Sequence, residues 1–423
     1  MYVIFLSGTG YIINCIYITT LENYNINMKL IHTSDWHLGQ NFYGYDRSAD
    51  HAGMIAQLIE LVKEERPDAL IIAGDIYDIP VPGTAVQKAF AEHIVALHNA
   101  CPAMTIVCIS GNHDSASRHE VHQTPWEALN VRMVGKADME NLSSNIIPIP
   151  DKGWIVAVPY TNDRFLTDEF YKNLEKATKE VTGEVLPTVY VGHAAINGCN
   201  FLGHDIMSGR FVGGIECTGI DEIGSIYDYI ALGHIHKAQT FDNGRARYSG
   251  SPLPVGFDEI RSGYEHSFSI VEIESHNSTP VIRTKEVACG YPLVNIPAEG
   301  YACWDEVMEE LKNFPADIEA YIRLNVLLKD QQMLPYNKDH QITLALEGKK
   351  AHYAAINPTR EVSMTRESTS EGIVSLTMEE LQKTEPLDVL KSYAASNDIV
   401  FSDEYNEMFN TVIRIINDSE NEN

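Results

Sequence analysis

Two residue pairs set two apart, Asp35 with His37 and His234 with His236, share one chain with Asp75, Asn112 and His193, each just beyond an apolar run. In extended backbone, residues i and i+2 point the same way, so each pair can aim two donors at one place. Imidazole nitrogen with carboxylate and amide oxygen, and no thiolate, suits manganese, iron or zinc. Seven such donors exceed what one ion needs and fit two ions sharing a bridging carboxylate. Two ions roughly 3.5–4 Å apart can hold a phosphate oxygen, activate water and stabilise the leaving oxygen of an in-line displacement. The chemistry implied is hydrolysis of a phosphate ester.

Such donors need elements that carry them to a common place. Leu30–Ser34 reads as a buried strand ending at Asp35 and His37, and Ala69–Ala73 as one ending at Gly74, Asp75 and Asp78. Met104–Ile109 leads through Ser110-Gly111 to Asn112, His113 and Asp114; Val189–Val191 leads to His193, and Tyr229–Leu232 to His234 and His236. Between them, helical spacing of Met54, Leu58, Leu61 and Val62 predicts a helix over Arg47–Glu65, and Phe90, Ile94 and Leu97 predict another over Thr84–Asn99, with Thr84 as its N-cap. His51, His93 and His98 on these helices read as surface or packing residues. Alternating strand and helix predicts an α/β layered sheet, whose ligands gather outside the carboxyl ends of the strands.

The chain has 423 residues, enough for two or three units. Its seven cysteines are scattered with no Cys-x-x-Cys pair, which fits reduced thiols in a cytosol. A net charge of −28 argues against holding nucleic acid by a broad basic surface, yet does not exclude a phosphodiester substrate, because bound cations or a basic partner supply positive charge locally. Residues 1–27 lack the positive segment of a secretory signal, and polar residues interrupt them as a membrane span; a dispensable extension or a misplaced start is expected.

Residues 28–275 form the expected catalytic domain, with Trp154–Pro159, Ala246–Pro252 and His266–Ile273 as further strands and the Gly-rich stretch 201–224 as a loop over the site. Residues 276–358 read as a small α+β cap containing strand-like Val281-Ile282, Leu293–Ile296 and Ala320–Leu328 and a helix over Trp304–Asn313. Residues 338–347 alternate like a strand, while Asp339 before and Gly348 after favour a short helix. A polar linker, 359–376, precedes a tail, 377–423, with a capping-box sequence at Thr377–Glu380 and two short helices. On the second, Tyr405, Met408, Phe409, Val412, Ile413 and Ile416 form an apolar stripe suited to a partner or to self-packing.

Asp35-Trp36-His37, Gly74-Asp75-Ile76-Tyr77-Asp78, Gly111-Asn112-His113-Asp114, Gly192-His193 and Gly233-His234-Ile235-His236 resemble, in order, the motifs of the calcineurin-like metallophosphoesterase superfamily. His32–Gly39, Ser249-Gly250-Ser251-Pro252, the cap and the two-helix tail are similar to its DNA nuclease subunits that work with a long coiled-coil ATPase. The resemblance covers roughly Met28 to Ile416 and implies an α/β fold, a layered β-sandwich flanked by helices, with a smaller α+β cap domain and a C-terminal helical tail. It implies one ion on Asp35, His37, Asp75 and His236 and a second on Asp75, Asn112, His193 and His234, with Asp75 bridging. His113 would contact the phosphate or protonate the leaving oxygen, Asp78 would orient it, and Asp114 would brace the loop. It further implies manganese, or magnesium less effectively; exonuclease action on double-stranded ends and endonuclease action on hairpins or single strands; a role in DNA repair, recombination and replication in the cytoplasm; and a homodimer through the helices near 50–65 and 84–99.

Two other readings compete. Protein phosphatases of the superfamily place an Arg soon after the second Asp, whereas Ile79-Pro80-Val81-Pro82 follows Asp78, and an enzyme for small phosphodiesters needs neither cap nor tail. A non-catalytic scaffold is expected to have lost ligands, and every ligand position is filled.

Overall fold

The computed structural model describes residues 27–121, 123–161, 166–200, 218–261, 264–329 and 332–360. The expectations for residues 1–26, most of the loop 201–224, and the linker and tail beyond Arg360 lie outside the described residues.

Two six-stranded sheets form the centre. In the first, the order is Val281–Glu286, Ser267–Ile273, Met28–Thr33, Ala69–Ala73, Thr105–Ile109, Val131–Val134. The last four run parallel. In the second, the order is Gln239–Phe241, Ala246–Tyr248, Tyr229–Gly233, Thr188–His193, Gly153–Val158, Ile146–Ile149, the middle four parallel. The sheets face each other across one core. Leu30, Ile71, Val107 and Ile109 of the first meet Ile155, Val189, Val191 and Ala231 of the second. Neighbouring residues on the same strands point outward, as a two-residue period requires. Ile31, Leu70, Ile72 and Ile106 pack on Met54, Leu58, Leu61, Phe90, Ile94 and Leu97 of helices Ser48–Glu65 and Thr84–Ala100. On the far side, Val156, Tyr190, Ile230 and Leu232 pack on Phe170, Tyr171 and Leu174 of helix Asp168–Thr182. Burial on both faces is why these strands read as continuous apolar runs.

Four expectations need correction. Val281-Ile282 is not part of the cap: it opens an edge strand of the first sheet, with Ile282 opposite Val271. Its mostly exposed residues, such as Arg283 and Lys285, are what an edge strand requires, and the composition change they cause marks no new domain. Gly83, not Thr84, is the N-cap of its helix, being the last residue with extended backbone. Ser249–Pro252 is loop rather than strand. Thr359 and Arg360 complete the strand His352–Arg360 and do not begin a linker. The apolar faces of helices Ser48–Glu65 and Thr84–Ala100 are turned onto the first sheet.

The cap has a parallel sheet of Leu293–Ile296, Tyr321–Leu328 and His352–Arg360 in that order. Trp304, Val307, Met308 and Leu311 of helix Trp304–Asn313 and Ile342 of helix Lys338–Ala345 cover Ile322, Leu324 and Val326. This last stretch is the short helix that its flanking residues favour, not the strand that its alternation suggests. Phe42, Phe257, Leu293 and Tyr321 join the cap to the catalytic part.

Candidate metal centre

All parallel strands of both sheets deliver their carboxyl ends to one edge, where the loops carrying the candidate ligands meet. The loops after Met28–Thr33 and Ala69–Ala73 run side by side: the amides of Asp35, His37 and Leu38 donate to the carbonyls of Gly74, Asp75 and Ile76 at 2.8–3.1 Å. Asp35, His37, Asp75 and His234 all have positive φ. Such backbone is uncommon for residues other than glycine, and it clusters at functional sites. A Cβ at Gly74 would run into the His193 ring, and one at Gly111 into the Asp75 carboxylate, so only glycine lets these loops close.

The donors gather in two groups, Asp35 with His37 and His236, and Asp75 with His193 and His234, each with ligand atoms within 4.8 Å of one another. Asn112 joins the second group: its Oδ1 lies 3.0 Å from His193 Nε2 and 3.0 Å from His234 Nδ1. A third group of His37, Asp78 and His113 borders the first. Asp75 reaches across the centre, accepting from the His113 amide at 2.8 Å through Oδ1 and lying 3.3 Å from His193 Nε2 through Oδ2. All seven sequence-predicted ligands thus lie at one site.

Hydrogen bonds fix which ring nitrogen faces inward. A carbonyl only accepts, so Nδ1 of His193, 2.8 Å from the Ala73 carbonyl, carries a proton and leaves Nε2 toward Asn112 and Asp75. His113 is held the same way by the Asp78 main-chain carbonyl at 2.8 Å. The Asp78 carboxylate, expected to orient His113, lies 3.3 Å from His37 Nδ1; the main chain makes the hydrogen bond. Asp114 accepts from the amides of Ile76, Tyr77 and Gly111 at 2.9–3.1 Å, tying two loops together.

Burial and charge act in opposition here. Burial disfavours the charged forms of His37 and His193, yet Asp78, Asp75 and Asp35 push His37 up to about 9, and Asp75 and Asp35 push His193 up to about 9. Burial would raise the Asp75 carboxyl, but the neighbouring His193, His37 and His113 hold it well below the usual carboxylate range. His236 goes the other way, pulled down to about 4 by burial against the attraction of Asp35. Convergent buried carboxylates and imidazoles, with His37 Nε2 lacking a hydrogen-bond partner, fit divalent cations.

Sequence reasoning missed Glu259. It is buried, its Oε1 lies 2.9 Å from His236 Nδ1, and burial pushes its carboxyl up to about 7. In Phe257-Asp258-Glu259-Ile260-Arg261 it looks like a surface residue of a short helix, and nothing in the pattern marks it. Ser34 was also missed; its Oγ donates to Asp35 Oδ2 at 2.5 Å and lies 2.7 Å from Ser249 Oγ. Ser249 therefore supports Asp35 through Ser34.

A family model of calcineurin-like phosphoesterases matches residues 28–238. The SbcD component of the nuclease SbcCD from Rhodobacter capsulatus is 29% identical over 309 residues, covering 67% of this chain and 75% of the relative. The corresponding protein from Escherichia coli K12 is 30% identical over 312 residues, covering 67% and 76%. The chain belongs to the SbcD family. The Bacillus subtilis strain 168 member is 28% identical over 333 residues, covering 73% of this chain and 81% of its own. As an SbcD-family calcineurin-like phosphoesterase, the chain is a metal-dependent phosphodiesterase of the nuclease type. Among the described residues no helix is long and apolar enough to cross a membrane.

Proposed function

We propose that this chain is the nuclease subunit of an SbcCD-like complex, cutting double-stranded DNA ends exonucleolytically and hairpins or single strands endonucleolytically. Its work would lie in DNA repair, recombination and replication in the cytoplasm, with an SbcC-like coiled-coil ATPase as partner. One divalent ion is assigned to Asp35, His37, Asp75 and His236 and a second to Asp75, Asn112, His193 and His234, with Mn2+ preferred over Mg2+. Bound there, the cations supply the positive charge that a chain of net charge −28 lacks and polarise the phosphodiester. His113 meets the substrate through Nε2, because its Nδ1 is committed to the Asp78 carbonyl. Asp78 keeps that ring in place and faces His37. Residues 28–287 make the catalytic unit and 288–360 the cap; 377–423 dock on the ATPase, and two copies pair through the outer sides of the two helices near 50–65 and 84–99.

The observation that supports this reading is the pair of neighbouring donor groups, Asp35 with His37 and His236 and Asp75 with His193 and His234, gathered where the strand ends meet. The test is cleavage of a DNA hairpin by metal-stripped protein resupplied with Mn2+, Mg2+ or neither, with and without the ATPase and ATP. Cutting with Mn2+ above Mg2+, and attack on duplex ends only with the ATPase and ATP, is expected. Hydrolysis of bis-p-nitrophenyl phosphate with DNA left intact under every condition would instead identify an enzyme for small phosphodiesters.

A further inference from the structure

Glu259 sits where the metal centre meets the cap. Both of its carboxylate oxygens are engaged. Oε1 faces His236 Nδ1 at 2.9 Å, while Oε2 accepts from the Val255 amide at 3.1 Å and from Ser251 Oγ at 3.5 Å. His236 Nδ1–H donating to a buried carboxylate leaves Nε2 as the lone-pair nitrogen and fixes the ring's orientation, a common support for a metal-binding imidazole. The two preceding residues face the other way. Asp258 Oδ1 lies 3.0 Å from Nη1 of Arg323 in the cap, and the Arg323 guanidinium sits 4.9 Å over the Phe257 ring. Arg323 is itself buried and donates through Nε to Asn295 Oδ1 at 2.9 Å. Phe257 packs on Leu293 and Tyr321 of the cap sheet. One short helical turn, Phe257–Arg261, therefore grips the cap with two residues and a candidate metal ligand with the third.

We propose that Glu259 is a positioning residue for His236, and that Phe257-Asp258-Glu259 couples seating of the cap to ion affinity at the Asp35, His37 and His236 group alone. The inference rests on the two-ion reading above. Displacing the turn removes the Glu259 support from His236, whereas the rings of His193 and His234 are held by Ala73 and Asn112. By linkage, filling that site strengthens cap seating by the factor that cap seating adds to ion affinity.

The test is calorimetric titration of Mn2+ into the metal-stripped full chain, with thermal unfolding of each metal-free variant as the control for folding. Wild type is expected to bind two ions; binding of fewer refutes the two-ion reading itself. Glu259→Ala is expected to weaken one of the two sites 10–100-fold and leave the other within twofold. Glu259→Gln keeps an acceptor oxygen of the same reach, so it weakens the same site less, and it carries the test if the alanine variant does not fold. Arg323→Ala, in the cap, is expected to weaken that same site. If wild type binds two ions while the Glu259 variants leave both affinities unchanged or lower both equally, the positioning role is wrong. If Arg323→Ala leaves both sites at wild-type affinity, the coupling is wrong.

Discussion

Replacing His113 by alanine separates hydrolysis from metal binding. The ring is half-buried, it belongs to neither of the two donor groups that contain Asp35 and Asp75, and its Nδ1–H is committed to the Asp78 carbonyl 2.8 Å away. Nε2 is therefore its one reactive atom, and the loss expected is that of a single general acid, 10²–10⁴-fold in rate, or about 3–5 kcal/mol of barrier. The assay compares two substrates under saturating Mn2+. DNA leaves through an alkoxide that needs a proton, whereas p-nitrophenolate leaves readily without one. If His113 protonates the leaving oxygen, His113→Ala loses the full factor on DNA and far less on bis-p-nitrophenyl phosphate. If it only grips phosphate, both substrates lose alike. Retention of more than a tenth of wild-type activity on DNA, or loss of a bound ion, would refute the assignment.

Asp75→Asn is expected to lower Mn2+ affinity at both sites, read by calorimetry, because its carboxylate is proposed to bridge them; loss at one site alone would exclude the bridge. Buried His32, whose Nδ1 meets the Tyr229 hydroxyl at 2.9 Å, is pulled down to about 3 by burial and by Arg247. Its folded pKa lies below the unfolded value of 6.5, so the unfolded chain binds the extra proton, and stability falls as pH drops from 6.5 toward 3. By pH 5 this costs about 2 kcal/mol; denaturant melts of His32→Gln at pH 8 and pH 5 are expected to show a correspondingly smaller drop, and equal drops would exclude it. Deleting residues after Gly372 is expected to abolish co-purification with the ATPase while Mn2+-dependent hydrolysis of bis-p-nitrophenyl phosphate persists; undiminished co-purification would rule out docking through the tail.

The convergence of the seven candidate donors was legible because each follows a strand buried on both faces, and such strands announce themselves as unbroken apolar runs ending in polar residues, as at Ile71-Ile72-Ala73-Gly74-Asp75. Periodicity likewise marked the helices on the first sheet. What the sequence withheld depends on chain path. The left-handed backbone at Asp35, His37, Asp75 and His234 comes from two loops hydrogen-bonded side by side, which no local pattern encodes. Glu259 reaches His236 only because the loop after Ser249 folds back over the site, so no local pattern marks this carboxylate as buried. The edge strand Val281–Glu286 was misassigned because its solvent-facing charges resemble a domain boundary until its pairing with Ser267–Ile273 is known.

The central claim is that one site holds two divalent ions around a shared Asp75. Anomalous diffraction at the manganese edge, from crystals of the full chain equilibrated with Mn2+, reads it directly. Two peaks are predicted, one among Asp35, His37 and His236 and one among Asn112, His193 and His234, with Asp75 reaching both. A single peak, or a second one on Asp78 and His113 away from Asn112, would contradict it.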